Sequence, residues 1–272
     1  LQKLSAVMIK VGYPDKWRDY SNFDVDRSSF LANAVRGNAW RSDYAIKKLG
    51  KPVDRTEWDM TPQTYNAYYN PSNNEIVLPA GIFVVPGVKD ADVDDAVAYG
   101  YVGAGTIGHE ITHGFDDEGR QYDAHGNLAV WWTAQDTARF NAAAQKMVDQ
   151  FNAYEPLPGL HINGKAALGE NIADYGGLLL GLEAFEKTAQ YRKGAKIGGL
   201  TPTQRYFLGY ALGWMSQQRD ERLRQRLLSD VHAPAKWRVL GPMSNIPAFY
   251  AAFGVKPGQP MWRAPNDRVR IW

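Results

Sequence analysis

The sequence predicts a predominantly helical α+β fold with a small edge-strand hairpin, carried by one domain over residues 1–272. Apolar residues recur at helical spacing through several long stretches, each closed by a cap or by Gly and Pro. Only one pair of short aromatic and β-branched runs brackets a turn, as a hairpin requires. No internal repeat or low-complexity linker divides the chain, and 44% hydrophobic residues among 272 supply an ample core.

Residues 1–28 are aromatic and charged around the turn Gly12-Tyr13-Pro14-Asp15, and read as an irregular lead-in. Over 29–49, Phe30, Leu31, Ala34, Val35, Trp40, Tyr44 and Leu49 follow rough helical spacing, and Gly50 and Pro52 end that helix. Residues 58–62 connect it to Tyr65-Asn66-Ala67-Tyr68-Tyr69, a turn at Asn70-Pro71-Ser72-Asn73-Asn74, and Glu75-Ile76-Val77-Leu78-Pro79. These form the predicted hairpin. It is either a plain surface ribbon or a strand whose free N–H and C=O groups can pair with an extended peptide.

Residues 92–113 form the central helix, with Val93, Val97, Tyr101, Ala104, Ile107 and Ile111 tracing its apolar stripe. Inside it, Gly103-Ala104-Gly105-Thr106-Ile107-Gly108 matches the dinucleotide fingerprint in form only. That fingerprint must join a strand to the start of a helix, so the small residues here are read as permitting close approach of a neighbour. Gly114 stops the helix. After a loop over 116–132, Thr133 and Asp136 open a helix reaching about 151. A break at 155–159 precedes a helix from 168 to about 190, and Thr201-Pro202-Thr203-Gln204 opens another running through 214. The tail, 230–272, is punctuated by prolines around a short helix near 249–253.

Composition narrows the chemistry. A net charge of +2 gives no ground for a nucleic-acid or anionic-membrane partner. No stretch approaches the roughly 20 apolar residues of a membrane helix. With no cysteine, a metal must be held by histidines and carboxylates. The chain opens at Leu1 without a Met or a signal-like segment, and reads as a piece of something longer.

The stretch with the clearest chemistry is Gly108-His109-Glu110-Ile111-Thr112-His113-Gly114. On a helix, His109 and His113 stand one turn apart on one face and can share a metal ion, with Glu110 beside it. A catalytic zinc takes three protein ligands and keeps one position open. A third histidine ten residues after His109 is ruled out, because Gly119 occupies that position. A carboxylate from a downstream helix remains. Glu155 sits among prolines, and Glu183, Glu186 and Glu221 sit in ordinary charged surroundings. Glu170 opens a helix among small residues, with Asp174 one turn later on the same face. One carboxylate of that pair can ligate while the other accepts the free N–H of a ligating histidine, and Asp116 can do the same for His113. The competing reading of Glu170 is a helix N-terminal carboxylate favoured by the dipole.

His109–Arg120 (His-Glu-Ile-Thr-His-Gly-Phe-Asp-Asp-Glu-Gly-Arg), Glu170-Asn171-Ile172-Ala173-Asp174, Asn66-Ala67-Tyr68-Tyr69, Asp230-Val231-His232-Ala233-Pro234 with Arg238, the opening Gly12-Tyr13-Pro14-Asp15-Lys16-Trp17 and the closing Arg270-Ile271-Trp272 together resemble the neprilysin family of zinc metallopeptidases. The resemblance implies a thermolysin-like catalytic domain holding one zinc ion through His109, His113 and Glu170. It implies Glu110 as catalytic base and His232 as donor to the transition state. Asp174 joins this catalytic set from behind a ligand, and Asp116 stands behind another. Asn66 and Ala67 would pair with the substrate backbone, Arg238 would bind a substrate carbonyl, and Trp214 would wall an apolar pocket beyond the scissile bond. Taken alone, His232 reads as an ordinary loop histidine.

The implied activity is endopeptidase cleavage of small peptides before large hydrophobic residues, outside the cytoplasm. Two departures stand out. Val269 occupies a place where animal members carry cysteine, as in a bacterial member, and family chains are much longer. An N-terminal lid portion is therefore an expected partner. The alternatives are a fragment inactive without that partner, or a silent zinc-stabilised peptide-binding module, against which the retained Glu110 argues.

Overall fold

The computed structural model describes residues 1–271; Trp272, the last residue of the Arg270-Ile271-Trp272 run, lies outside the described residues. The lead-in is irregular over 13–28 as expected, but its start forms a short helix, α1 (Gln2–Ser5), and a strand, β1 (Met8–Gly12). The strand was disguised because its polarity is inverted. Ile9 and Val11 are exposed, while Lys10 points inward and forms an ion pair with Glu75 at 2.8 Å.

Ser29 caps α2 (Phe30–Ile46), accepting a hydrogen bond from the Ala32 N–H, where the helix was expected. None of its residues is fully buried: Phe30, Leu31 and Val35 face outward, while Trp40 packs on Tyr20, Phe23 and Tyr44. The hairpin is present as β2 (Tyr68–Asn70) and β3 (Glu75–Pro79), antiparallel with Tyr68 opposite Val77. β3 also pairs in parallel with β1, giving the order β1-β3-β2 with a wholly buried central strand. The cleft-side strand β2 is therefore an edge.

The central helix starts later than its stripe suggested, because the Asp94 side chain caps it at the Ala96 N–H. It runs as α3 (Asp95–Ala98), a wide π-helical stretch over Tyr99–Gly108, and α4 (His109–His113). Glycines make this passage possible. A Cβ on Gly100 would lie 2.1 Å from the Tyr206 carbonyl oxygen, and one on Gly108 would lie 2.9 Å from the Gly177 Cα. The predicted close approach is thus real, and two helices make it.

Those neighbours follow α5 (Ala134–Asn152), capped by Thr133 as expected. α6 (Leu168–Glu186) is wrapped by other elements along most of its length, and its buried residues include Ile172, Leu178 and Phe185. α7 (Ala189–Lys193) is a separate short helix, split from α6 and ended by left-handed Gly194. α8 (Pro202–Leu212) opens with the predicted Thr201–Gln204 capping box and stops two residues short of Trp214.

The tail is more helical than expected. Just ahead of it, α9 (Asp220–Ser229) buries no residue fully, although Leu223 and Leu227 share a face and Leu227 packs against the core. α10 (Ala235–Met243) contains Pro242, which reads as a breaker. α11 (Pro247–Phe253) is the short helix that was expected. Faces of α5, α6, α8 and α11 close over Phe151, Phe185, Tyr206, Phe207 and Tyr210. No described helix is long and apolar enough to cross a membrane.

Candidate active site

α4 sets His109 and His113 one turn apart, with their Nε2 atoms 3.0 Å from each other. α6 brings Glu170 beneath them, its Oε2 3.3 Å from His109 Nε2 and its Oε1 3.7 Å from His113 Nε2. One donor atom from each of the three residues falls within 4.8 Å of the others. The opposite ring nitrogens are also held. His109 Nδ1 lies 3.0 Å from Asp174 Oδ1, and His113 Nδ1 lies 2.7 Å from Asp116 Oδ2. A carboxylate at each Nδ1 keeps the proton there and turns both Nε2 lone pairs toward one point. Two imidazole nitrogens and a carboxylate oxygen, converging in this way, fit a zinc ion.

The electrostatics suit a cation. Burial opposes charge on His109, but Asp174 and Glu170 overcome it and lift its pKa to about 10. Burial likewise opposes the Glu170 carboxylate, yet His109, His232 and Arg238 hold it far below the usual carboxylate range. Glu110 behaves differently. It is buried and lines the cleft, and burial raises its pKa against the pull of the two histidines.

From α10, Arg238 reaches Asp174 with Nε and Nη2 and also places Nη2 3.3 Å from Glu170 Oε2. Its guanidinium lies 4.0 Å over the Trp214 ring. Just before α10, His232 turns Nε2 toward Glu170 Oε1 at 3.3 Å, while its Nδ1 meets Asp230 Oδ1 at 2.7 Å. Asp230 is in turn held by Arg226 at 2.7 Å. Neither Asp230 nor Arg226 was singled out as a site residue from the sequence. Their signal is a carboxylate two residues before the histidine and a cation four residues before that carboxylate.

These groups meet in one cleft of about 570 Å³. Asn66 and Ala67, leading into β2, line it along with Glu110, the two histidines, Glu170, Asp116, Trp214, His232 and Arg238. Every site residue expected from the sequence is gathered here except Asp174, which stands behind His109, fully buried. The cleft also has members that sequence reasoning missed. Tyr65 and Tyr101 touch through their hydroxyls, and Gly105 and Gly213 leave the rings of Tyr210 and Tyr101 open.

Residues 66–269, which contain every site residue expected from the sequence, match the family profile of peptidase family M13. The chain belongs to peptidase family M13. Two relatives illustrate the M13 likeness. An endothelin-converting enzyme homolog of Locusta migratoria is 37% identical over 100% of this chain and 38% of its own length. The neutral endopeptidase of Lactobacillus helveticus is 39% identical over 99% of this chain and 40% of its own. Among solved structures, the Mycobacterium tuberculosis zinc metalloprotease Zmp1 in complex with an inhibitor superposes with a TM-score of 0.93. It is 45% identical, over 100% of this chain and 42% of that one. This M13 chain thus spans about two-fifths of the length of such relatives.

Proposed function

We propose that this chain is the catalytic domain of a zinc metalloendopeptidase that hydrolyses small peptides. The observation that carries the reading is the convergence of His109, His113 and Glu170 at the floor of a cleft bordered by an edge strand, with Glu110 beside them. His109 Nε2, His113 Nε2 and a Glu170 oxygen would hold one zinc per chain. Zinc bound there supplies Lewis acidity, bringing the pKa of a coordinated water to about 7 and polarising a carbonyl.

The chain's own residues do the rest. Glu110 accepts the proton of the attacking water and returns it to the departing amine, and its raised pKa makes it the stronger base. His232, raised in pKa by Glu170 and Asp230, donates from Nε2 to the developing oxyanion. Loss of such a donor costs roughly 10²–10³ in turnover. Arg238 commits Nε and Nη2 to carboxylates, which leaves Nη1 for a substrate carbonyl. Asn66 and Ala67 pair with the peptide backbone. The Trp214 wall favours cleavage on the amino side of a large hydrophobic residue.

The test is Glu110→Gln. Zinc content should match wild type while peptide hydrolysis falls to background; hydrolysis at the wild-type rate would remove Glu110 from the role. Metal analysis of Glu170→Ala should show zinc lost, and full stoichiometry would take it out of the ligand set.

A second reading makes hydrolysis dependent on a further polypeptide, the lid portion that the resemblance leads one to expect. The unburied α2, with Phe30, Leu31 and Val35 exposed, favours it. Sizing and assaying the isolated chain separates the two readings: an active monomer excludes the second. An extracytoplasmic place of action follows from the resemblance, and fractionation of the native host checks it.

A further inference from the structure

Lys3 is only 2% exposed, although lysine is among the residue types least often buried. Its Nζ donates to the Gly119 carbonyl at 2.6 Å and to the Tyr122 carbonyl at 2.8 Å. Three rings surround it, Phe115 at 5.5 Å, Trp131 at 5.7 Å and Tyr69 at 5.8 Å. This is a closed ammonium site of two carbonyls and an aromatic cage. Burial lowers the Lys3 pKa to about 8, with Asp116 and Asp123 opposing, so the ammonium is charged at neutral pH.

The group it holds leads directly to the metal site. The Gly119 N–H donates to Asp116 Oδ1 at 2.6 Å, joined there by the Glu118 N–H at 2.9 Å. The other Asp116 oxygen receives His113 Nδ1 at 2.7 Å. Gly119 is pressed against the end of α4 so closely that a Cβ would lie 1.8 Å from the His113 carbonyl oxygen. The Lys3 backbone is anchored as well. Asn74 donates from Nδ2 to the Lys3 carbonyl at 3.1 Å and accepts the Tyr69 hydroxyl at 2.9 Å. The ammonium thus sits under both the edge strand and the loop that carries Asp116.

We propose that Lys3 is a positioning residue for the metal centre, holding the Gly119 peptide so that Asp116 stays aligned behind His113. This rests on His113 being a zinc ligand, the reading given above. Carboxylates behind ligating histidines change metal affinity by roughly 10–100-fold when altered. A residue that aligns one of them should move the same quantity, and only through it.

The experiment measures the rate at which the zinc-loaded chain loses metal to excess chelator. Lys3→Met should release zinc about 10-fold faster while remaining folded by circular dichroism. In an Asp116→Asn background the same substitution should change the rate less than about 2-fold, because the path through Asp116 is already cut. Lys10→Met serves as control, since Lys10 is another buried lysine but pairs with Glu75 in the sheet. It should lower stability and leave zinc release unchanged. A wild-type release rate in Lys3→Met, an equal effect in the Asp116→Asn background, or the same acceleration from Lys10→Met would each overturn the proposal. If Lys3→Met does not fold, Lys3→Gln, which keeps an uncharged N–H donor group, is put through the same cycle. Should that variant also fail to fold, Lys3 belongs to the fold alone and the proposal falls. Wild-type protein that binds no zinc, or His113→Ala that retains it fully, would instead sink the metal-site reading.

Discussion

Arg238 grips Asp174 with two nitrogens, Nε 2.7 Å from Oδ2 and Nη2 2.7 Å from Oδ1. Both residues are buried, and the same Asp174 Oδ1 also faces His109 Nδ1. The pair ties α10 to α6 at the place where α6 supports α4. Burial alone would raise the Asp174 pKa; the guanidinium and the His109 ring reverse that and hold it down.

Removing the guanidinium would leave Asp174 buried without its main counter-charge. Arg238→Met is therefore expected to lower the folding stability of the zinc-free chain by about 3–5 kcal/mol, read from denaturant unfolding. Arg238→Lys should recover only part of this, because an ammonium cannot span two carboxylate oxygens in the same way. A midpoint unchanged in the Met variant would contradict the account.

At Gly177 the contact between α6 and the helix bearing His109 is made backbone to backbone. A Cβ on Gly177 would lie 2.4 Å from the Ala104 carbonyl oxygen and 2.9 Å from the His109 nitrogen. Neither atom can move without shifting His109, whose N–H bonds the Ala104 carbonyl. Gly177→Ala should cost about 1–3 kcal/mol from overpacking and also weaken zinc binding. Stability and metal affinity are measured on the same preparation, and an alanine variant with wild-type values for both would show that the helices separate freely.

Asp230 gives a pH signature. Burial raises its pKa, but the backbone and ring of His232 together with Arg226 pull it down to about 2 from an ordinary 3.8. A depressed carboxylate contributes stability that is full above its unfolded pKa and is lost as pH falls through the folded one. Asp230→Asn should therefore be less stable than wild type by about 2 kcal/mol near pH 6, with the gap closing between pH 4 and pH 2. Denaturant unfolding at several pH values follows the difference. A gap that persists below pH 2 would assign the effect to something other than this charge.

Much of the site can be read in the sequence because its parts carry local signatures. His109, Glu110 and His113 share one helix turn, and Glu170 is marked out by Asp174 one turn along. His232 and Arg238 carry no such mark; resemblance alone pointed to them. Their setting depends on α9 and α10, of which one buries no residue fully and the other hides behind Pro242. β1 escaped for a different reason. Alternation was present, but a buried ion pair placed Lys10 where an apolar residue is expected, and tertiary pairing with Glu75 overrode the pattern. The caps at Thr133 and Thr201 and the hairpin turn, which depend on neighbours in sequence, are legible there; those at Asp94 and Thr188 are not.

The candidate metal donors lie at positions 109, 113 and 170, and the counter-charge to Asp174 arrives only at position 238. At ordinary synthesis rates, on the order of ten seconds separate the emergence of the first histidine from that of the arginine. In the first part of that interval Glu170 and Asp174 are still to come; in the second the three donors are present while Asp174 lacks its guanidinium. The charge balance behind His109 is thus completed later in synthesis than the cluster of His109, His113 and Glu170 itself.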